Sequence, residues 1–254
     1  MGSVAFTRDD VMNEPHGGFA PATAGANAKG AEIADRIAAI DSGNVTVLSD
    51  VALSHLSYGN WYRTQRDYPN ALDETRKYHA AMSRFTEGKP HNMEFEDARL
   101  RADAFLARAL AEADKPEEAL VHINAASTLL ATVQKINPGL TRFRHEAATI
   151  AEAEATAWSD LKDWPRAIAA HKEALSTLEQ LQKADPKDDI AHDELLAQRE
   201  LLAEDLANAG QIPDARASLQ SALEMLSETA ATRKLSQSEL KLQADAEARI
   251  AALK

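Results

Sequence analysis

The chain has 254 residues, of which 44% are hydrophobic and 27% charged, with a formal net charge of −12 and no cysteine. The acidic balance repels nucleic acid and anionic lipid, so neither is an expected partner. The lack of cysteine removes disulfides, thiolate catalysis and cysteine-type zinc sites. No apolar run approaches the ~18 residues that would suggest a membrane span, so direct membrane insertion is not expected either.

Residues 1–29 carry Pro15, Pro21 and several glycines without periodicity, and they read as a disordered or loosely docked arm. Residues 30–43 place Ile33, Ile37 and Ile40 on one helical face before Ser42-Gly43-Asn44, which predicts an N-terminal capping helix. From residue 44 to 229 the chain repeats. Ala71, Ala119, Ala167 and Ala215 are 48 residues apart, and twelve residues before each sits a small residue, Gly59, Ala107, Ala155 or Ala203. Nine residues before each alanine sits a bulky one, Tyr62, Leu110, Trp158 or Leu206, and Pro90, Pro138 and Pro186 keep the same period. A fixed period of this size means a stacked array.

Each repeat reads as two antiparallel helices. Ala215, Leu219, Ala222, Leu223 and Leu226 make one helical face, and the same offsets recur in the repeats before it. Start and stop signals place first helices at about 45–66, 93–113, 141–162 and 189–209, and second helices at about 69–87, 116–135, 165–184 and 213–229. Proline is expected at the first position of each second helix, with Asp67, Asp114 and Asp163 two residues ahead favouring the N-terminus. Residues 235–254 predict a polar C-terminal capping helix opened by Ser236. Trp158, flanked by repeats on both sides, is expected to be the enclosed anchor of the array.

Gly59, Tyr62 and Ala71, with the later Ala126, Ala174 and Ala222, resemble the tetratricopeptide repeat family over about residues 44–229. The family's usual unit is about 34 residues, so both helices are lengthened here. The resemblance implies an all-α, right-handed α-solenoid of antiparallel helix pairs, four full repeats plus capping helices. It also implies a scaffold or sensor role in protein–protein interaction. The stretch from Ser42-Gly43-Asn44 through Ser49–Ser54 to Tyr58-Gly59-Asn60 is similar to repeat regions that follow the kinase domain of bacterial serine/threonine protein kinases. That likeness implies a bacterial signalling protein and, with the lack of cysteine, leans towards the extracytoplasmic, periplasmic side. No kinase motif is present.

No catalytic constellation emerges. His145-Glu146 is followed by Thr149 where a zinc protease would need its second histidine. His171 falls where other repeats place Ile123 and Leu219, and no spacing groups the eight histidines. No enzyme activity, metal or cofactor is therefore expected. The binding surface is expected on the inner face of the first helices. The residues after the small ones, Asn60, Arg108, Thr156 and Glu204, mark it, and Arg63, Thr64, Arg101, Glu112, Glu152, Asp160, Glu200 and Asn208 share the face. The first half is basic and the second acidic, which suits an extended peptide or a helix of a partner protein. Self-association is the alternative. A carboxylate clamp is not expected, because only Asn60 matches one and Phe105 stands where a second asparagine is needed.

Overall fold

The computed structural model describes residues 29–30, 32–33, 35–37, 44–89, 93–136 and 143–253. The arm expected over 1–29 falls outside these residues but for its last, as does much of the cap expected over 30–43. Regular structure among the described residues is all helical. The helices from Asn44 onward are α1 (Val45–Thr64), α2 (Tyr68–Thr86), α3 (Met93–Glu112), α4 (Pro116–Ile136), α5 (Arg144–Asp160), α6 (Trp164–Ala184), α7 (Asp189–Asn208), α8 (Ile212–Thr232) and α9 (Gln237–Ala252). Each packs on the next in sequence, and α3 also packs on α5, so the chain is a row of helix pairs. The described residues at 29–37 are helical, and Asp35 reaches His55 of α1 at 3.1 Å. No helix among the described residues is long and apolar enough to cross a membrane.

The hairpin turns share one geometry. Arg66, Asp114, Lys162 and Gly210, 48 residues apart, all take positive φ, at 57°, 55°, 60° and 77°. The next residue donates its backbone N–H five residues back, to Tyr62, Leu110, Trp158 and Leu206, at 2.8–3.0 Å. This left-handed helix end satisfies carbonyls that the helix would otherwise leave bare, and it reverses the chain within three residues. Asp114 therefore occupies the turn and does not cap α4, contrary to expectation. The reason is that Pro116 stands one residue nearer the turn than its counterparts. Asp67 and Asp163 do cap, accepting from the N–H groups of Asn70 and Arg166. The other three prolines take the second helical position, after Tyr68, Trp164 and Ile212.

The small residues sit where the two helices of a pair cross. Ala107, Ala155, Ala119, Ala167 and Ala215 are fully buried, and a Cβ on Gly59 would meet Thr75 Oγ1 at 3.2 Å. Close approach of backbones is what such positions provide. Leu100, Leu110, Ile123, Val133, Phe143 and Ile150 fill the core of the first half, and Leu178, Leu195, Leu206, Leu219 and Ala246 that of the second. The bulky slot is unequal. Leu110 and Leu206 are 1% and 2% exposed, but Trp158 is only half-buried. Its indole N–H donates to Glu154 at 3.1 Å, and the Arg166 guanidinium lies 4.4 Å above the ring. Trp158 is thus a covered edge residue and not the enclosed anchor: its ring lies under Arg166 of the first turn of α6 and belongs to neither core cluster.

Candidate functional site

The first helices bring charges from four successive pairs to one place. Arg63 of α1 donates from Nε to Glu112 of α3 at 2.6 Å. Arg108, one turn before Glu112, lays its guanidinium over the Phe105 ring, 5.3 Å from the centroid. No carboxylate among the described residues comes within ion-pair distance of Arg108. Asn60, Arg63, Phe105, Arg108 and Glu112 line one small hollow between α1 and α3. Glu152 of α5 and Glu194 of α7 close this ground from the far side, within electrostatic reach of both arginines.

Glu152 is 5% exposed, and its buried Oε1 has no hydrogen-bond partner. Burial first, then the neighbouring Glu194, push its carboxyl up to about 8, against the pull of Arg108 and Arg63. Burial likewise raises Glu194. Glu152 therefore holds its proton more tightly than an ordinary carboxyl and offsets Arg108 less than a free carboxylate would. Arg108 stands beside the exposed Asn60 and the Phe105 ring.

The remaining expected residues are placed as follows. Arg101 is held by Asp97 at 3.1 Å and by the buried Glu146 at 2.8 Å, away from the hollow. Thr64 donates to the Trp61 carbonyl and Thr156 to that of Glu152, each within its own helix. Asp160, near Asp114 and Asp205, is raised to about 6, first by partial burial and then by those carboxylates. Glu200 and Glu204 meet Arg249 of α9 at 3.6 and 3.1 Å. Asn208 is exposed at the end of α7. Arg63 and Arg101 have carboxylate partners in place, and Arg249 of α9 supplies a cation beside Glu200 and Glu204.

Glu194 is the residue that repeat spacing misses. A 48-residue step finds equivalent positions, but residues that meet across pairs need not keep that step: Arg63–Glu112 and Glu200–Arg249 span 49 residues, while other pairs lie closer in sequence. Arg76–Glu118 spans 42 residues, Glu204–Arg249 spans 45 and Ser159–Asp205 spans 46. Stepping by the shorter interval from Arg63 passes through Arg108 and Glu152 to the neighbourhood of Glu194.

Two further buried networks tie pairs together. His55, 1% exposed, bridges Asp35 and Glu74 at 3.1 and 2.7 Å. His171, equally buried, takes Gln198 at 2.6 Å and Asp205 at 3.3 Å, while Ser159 hydrogen-bonds the same Asp205. His171 is thus a core histidine with its polar atoms satisfied.

No family model matches this chain, and no curated protein matches it. Among solved structures it is similar to BtubC (BKLC) from P. vanneervenii, with a TM-score of 0.62 at 16% identity, covering 91% of this chain and 81% of that one. At that identity the likeness shows the fold alone.

Proposed function

We propose that this chain is a non-catalytic interaction module of the tetratricopeptide type, which binds an extended acidic segment of a partner protein across its first helices. The observation that carries this reading is Arg108, which is held over Phe105 beside Arg63 with no carboxylate of the described residues in ion-pair distance, at a hollow that Asn60 also lines. A guanidinium without an ion-pair partner presents a planar fork of donors suited to a carboxylate, and the Phe105 ring beneath it fixes its position. The upward shift of Glu152, from burial and then from Glu194, lessens its neutralisation of that charge. The likeness of residues 42–60 to repeats that follow bacterial kinase domains supports a place in a signalling protein. The right-handed solenoid implied by the repeat resemblance would present the first helices as one continuous binding face.

A displayed library of random peptides, selected on the native chain and counter-selected on Arg63→Glu/Arg108→Glu, tests the proposal. Acidic peptides should be enriched, should bind the double variant at least about tenfold more weakly, and should weaken as salt is raised. Equal binding to both proteins, or no enrichment on either, sinks it.

A further inference from the structure

The sequence offers no spacing that groups the histidines, yet the fold brings two of them to one carboxylate. His79 of α2 and His122 of α4 are 43 residues apart, close to the 42 that separate the paired Arg76 and Glu118 on the same two helices. Asp103 of α3 lies between them. Its Oδ1 is 3.2 Å from His79 Nε2 and 2.8 Å from His122 Nδ1, and the two imidazole rings stand edge to face with centroids 5.2 Å apart. One ligand atom from each residue falls within 4.8 Å of the other two.

We propose that His79, Asp103 and His122 form a binding site for a divalent first-row transition ion of the zinc class, which clamps the first helix pair to the second. Two imidazole nitrogens and a carboxylate oxygen are the donor set such ions prefer, and harder ions such as Mg2+ favour oxygen alone. Ligand atoms bound at ~2.0–2.1 Å to a tetrahedral ion lie ~3.3 Å apart, so the observed separations need only small side-chain adjustments. The side chains are 26%, 18% and 26% exposed, which leaves the remaining coordination positions to water and an open path for entry. One turn away, Arg76 of α2 and Glu118 of α4 pair at 3.2 Å, so the second helices are already held in register where the ion would bridge them. The other group of this kind, His192, Asp193 and Glu239, is poorly suited. Both Glu239 oxygens are taken by Arg233, at 2.9 and 2.7 Å, and Oε2 also accepts the Ser236 N–H.

The test is calorimetric titration of the untagged chain with Zn2+, with Co2+ as a spectroscopic probe. One ion per chain should bind, Co2+ should give the visible bands of a nitrogen- and oxygen-ligated ion, and Zn2+ at about a hundredfold excess over Kd should raise Tm by about 5 °C or more. Asp103→Asn, which keeps the shape of the side chain, and His122→Ala should each weaken binding about tenfold or more and abolish the Tm rise. His192→Ala should change neither. A chain that takes up no Zn2+, or whose binding survives Asp103→Asn and His122→Ala, or is lost in His192→Ala, overturns the assignment and leaves only a hydrogen-bonded triad. Should His122→Ala fail to fold, Asp103→Asn and His79→Gln decide the same question.

Discussion

Glu152 of α5 and Glu194 of α7 are two carboxyl groups within electrostatic reach of Arg63 and Arg108, and Glu194 adds to the cost of ionising the buried Glu152. The sign of the resulting pH dependence follows from the upward shift. A carboxyl that holds its proton more tightly when folded contributes stability fully below its ordinary value near 4.5, and this is lost as pH rises through about 8. Glu152→Gln keeps the shape and removes the charge. It should stabilise the chain by on the order of 2 kcal/mol at pH 9 and flatten the decline between pH ~5 and ~8. Urea unfolding across pH checks this. A variant that is less stable than the native chain at high pH would show that the ionised Glu152 is needed by the arginines.

The shared turn geometry supplies a second prediction. Lys162 stands at φ 60° where the fourth hairpin places Gly210 at 77°. A side chain in that region costs about 1–2 kcal/mol, and glycine returns part of this as unfolded-state entropy. Lys162→Gly should therefore stabilise by about 0.5–1 kcal/mol, and Arg66→Gly by a similar amount, whereas Gly210→Ala should destabilise. Thermal melts of the three variants give the ordering, and a drop in Tm for Lys162→Gly would contradict it.

Why the helix pairs were legible and the charged site only partly so is visible in these residues. Ala71, Ala119, Ala167 and Ala215 recur at 48 because each must clear its own partner helix, a demand repeated identically in every unit. The left-handed turn recurs just as strictly, but Gly210 advertises it far more clearly than the rest, since Arg66 and Lys162 carry no preference for positive φ and Asp114 only a weak one. Contacts between pairs depend on the crossing of neighbours, which no single unit encodes. Arg63, Arg108, Glu112 and Glu152 were therefore identified as one face, while Glu194 and the pairing of His79 with His122 were not. The half-buried Trp158 departs from the enclosed anchor that its slot suggests for a related reason: slot equivalence fixes the direction of a side chain and says nothing of whether the neighbour covers it.

That difference in cover separates two substitutions in the same slot. Leu110 is 1% exposed within the core of the first half, and its truncation to alanine should cost about 2–5 kcal/mol. Trp158 is half-buried, with one face under Arg166 and its N–H on Glu154. Trp158→Ala should cost only ~1–2 kcal/mol, made of partial burial and the cation–ring contact. Denaturant midpoints at unchanged slope measure both. A larger loss for Trp158→Ala than for Leu110→Ala would restore the tryptophan as the anchor of the array.

The end of the array depends on a carboxylate. Ser236 caps α9, its hydroxyl accepting the Glu239 N–H while Glu239 accepts the Ser236 N–H. Arg233 grips both Glu239 oxygens, and this contact, outweighing burial and aided by the Ser236 N–H and hydroxyl, lowers the carboxyl to about 2. A downward shift means that the stability is present above the ordinary carboxyl value and is lost as pH falls from there through about 2. Arg233 is 45% exposed, so solvent screens its share, and Arg233→Met should cost no more than about 1 kcal/mol at neutral pH. Ser236→Ala should cost about 1 kcal/mol through the lost cap. Because α9 closes the row, docking on α8 and placing Ala246 in the core, the loss should be local. Amide exchange of α9 should quicken in both variants while α3 to α6 keep their protection, and in Arg233→Met the loss should grow on lowering the pH towards 3 sooner than in the native chain. Uniform acceleration along the whole chain would show that α9 is not a separable cap but part of one cooperative unit.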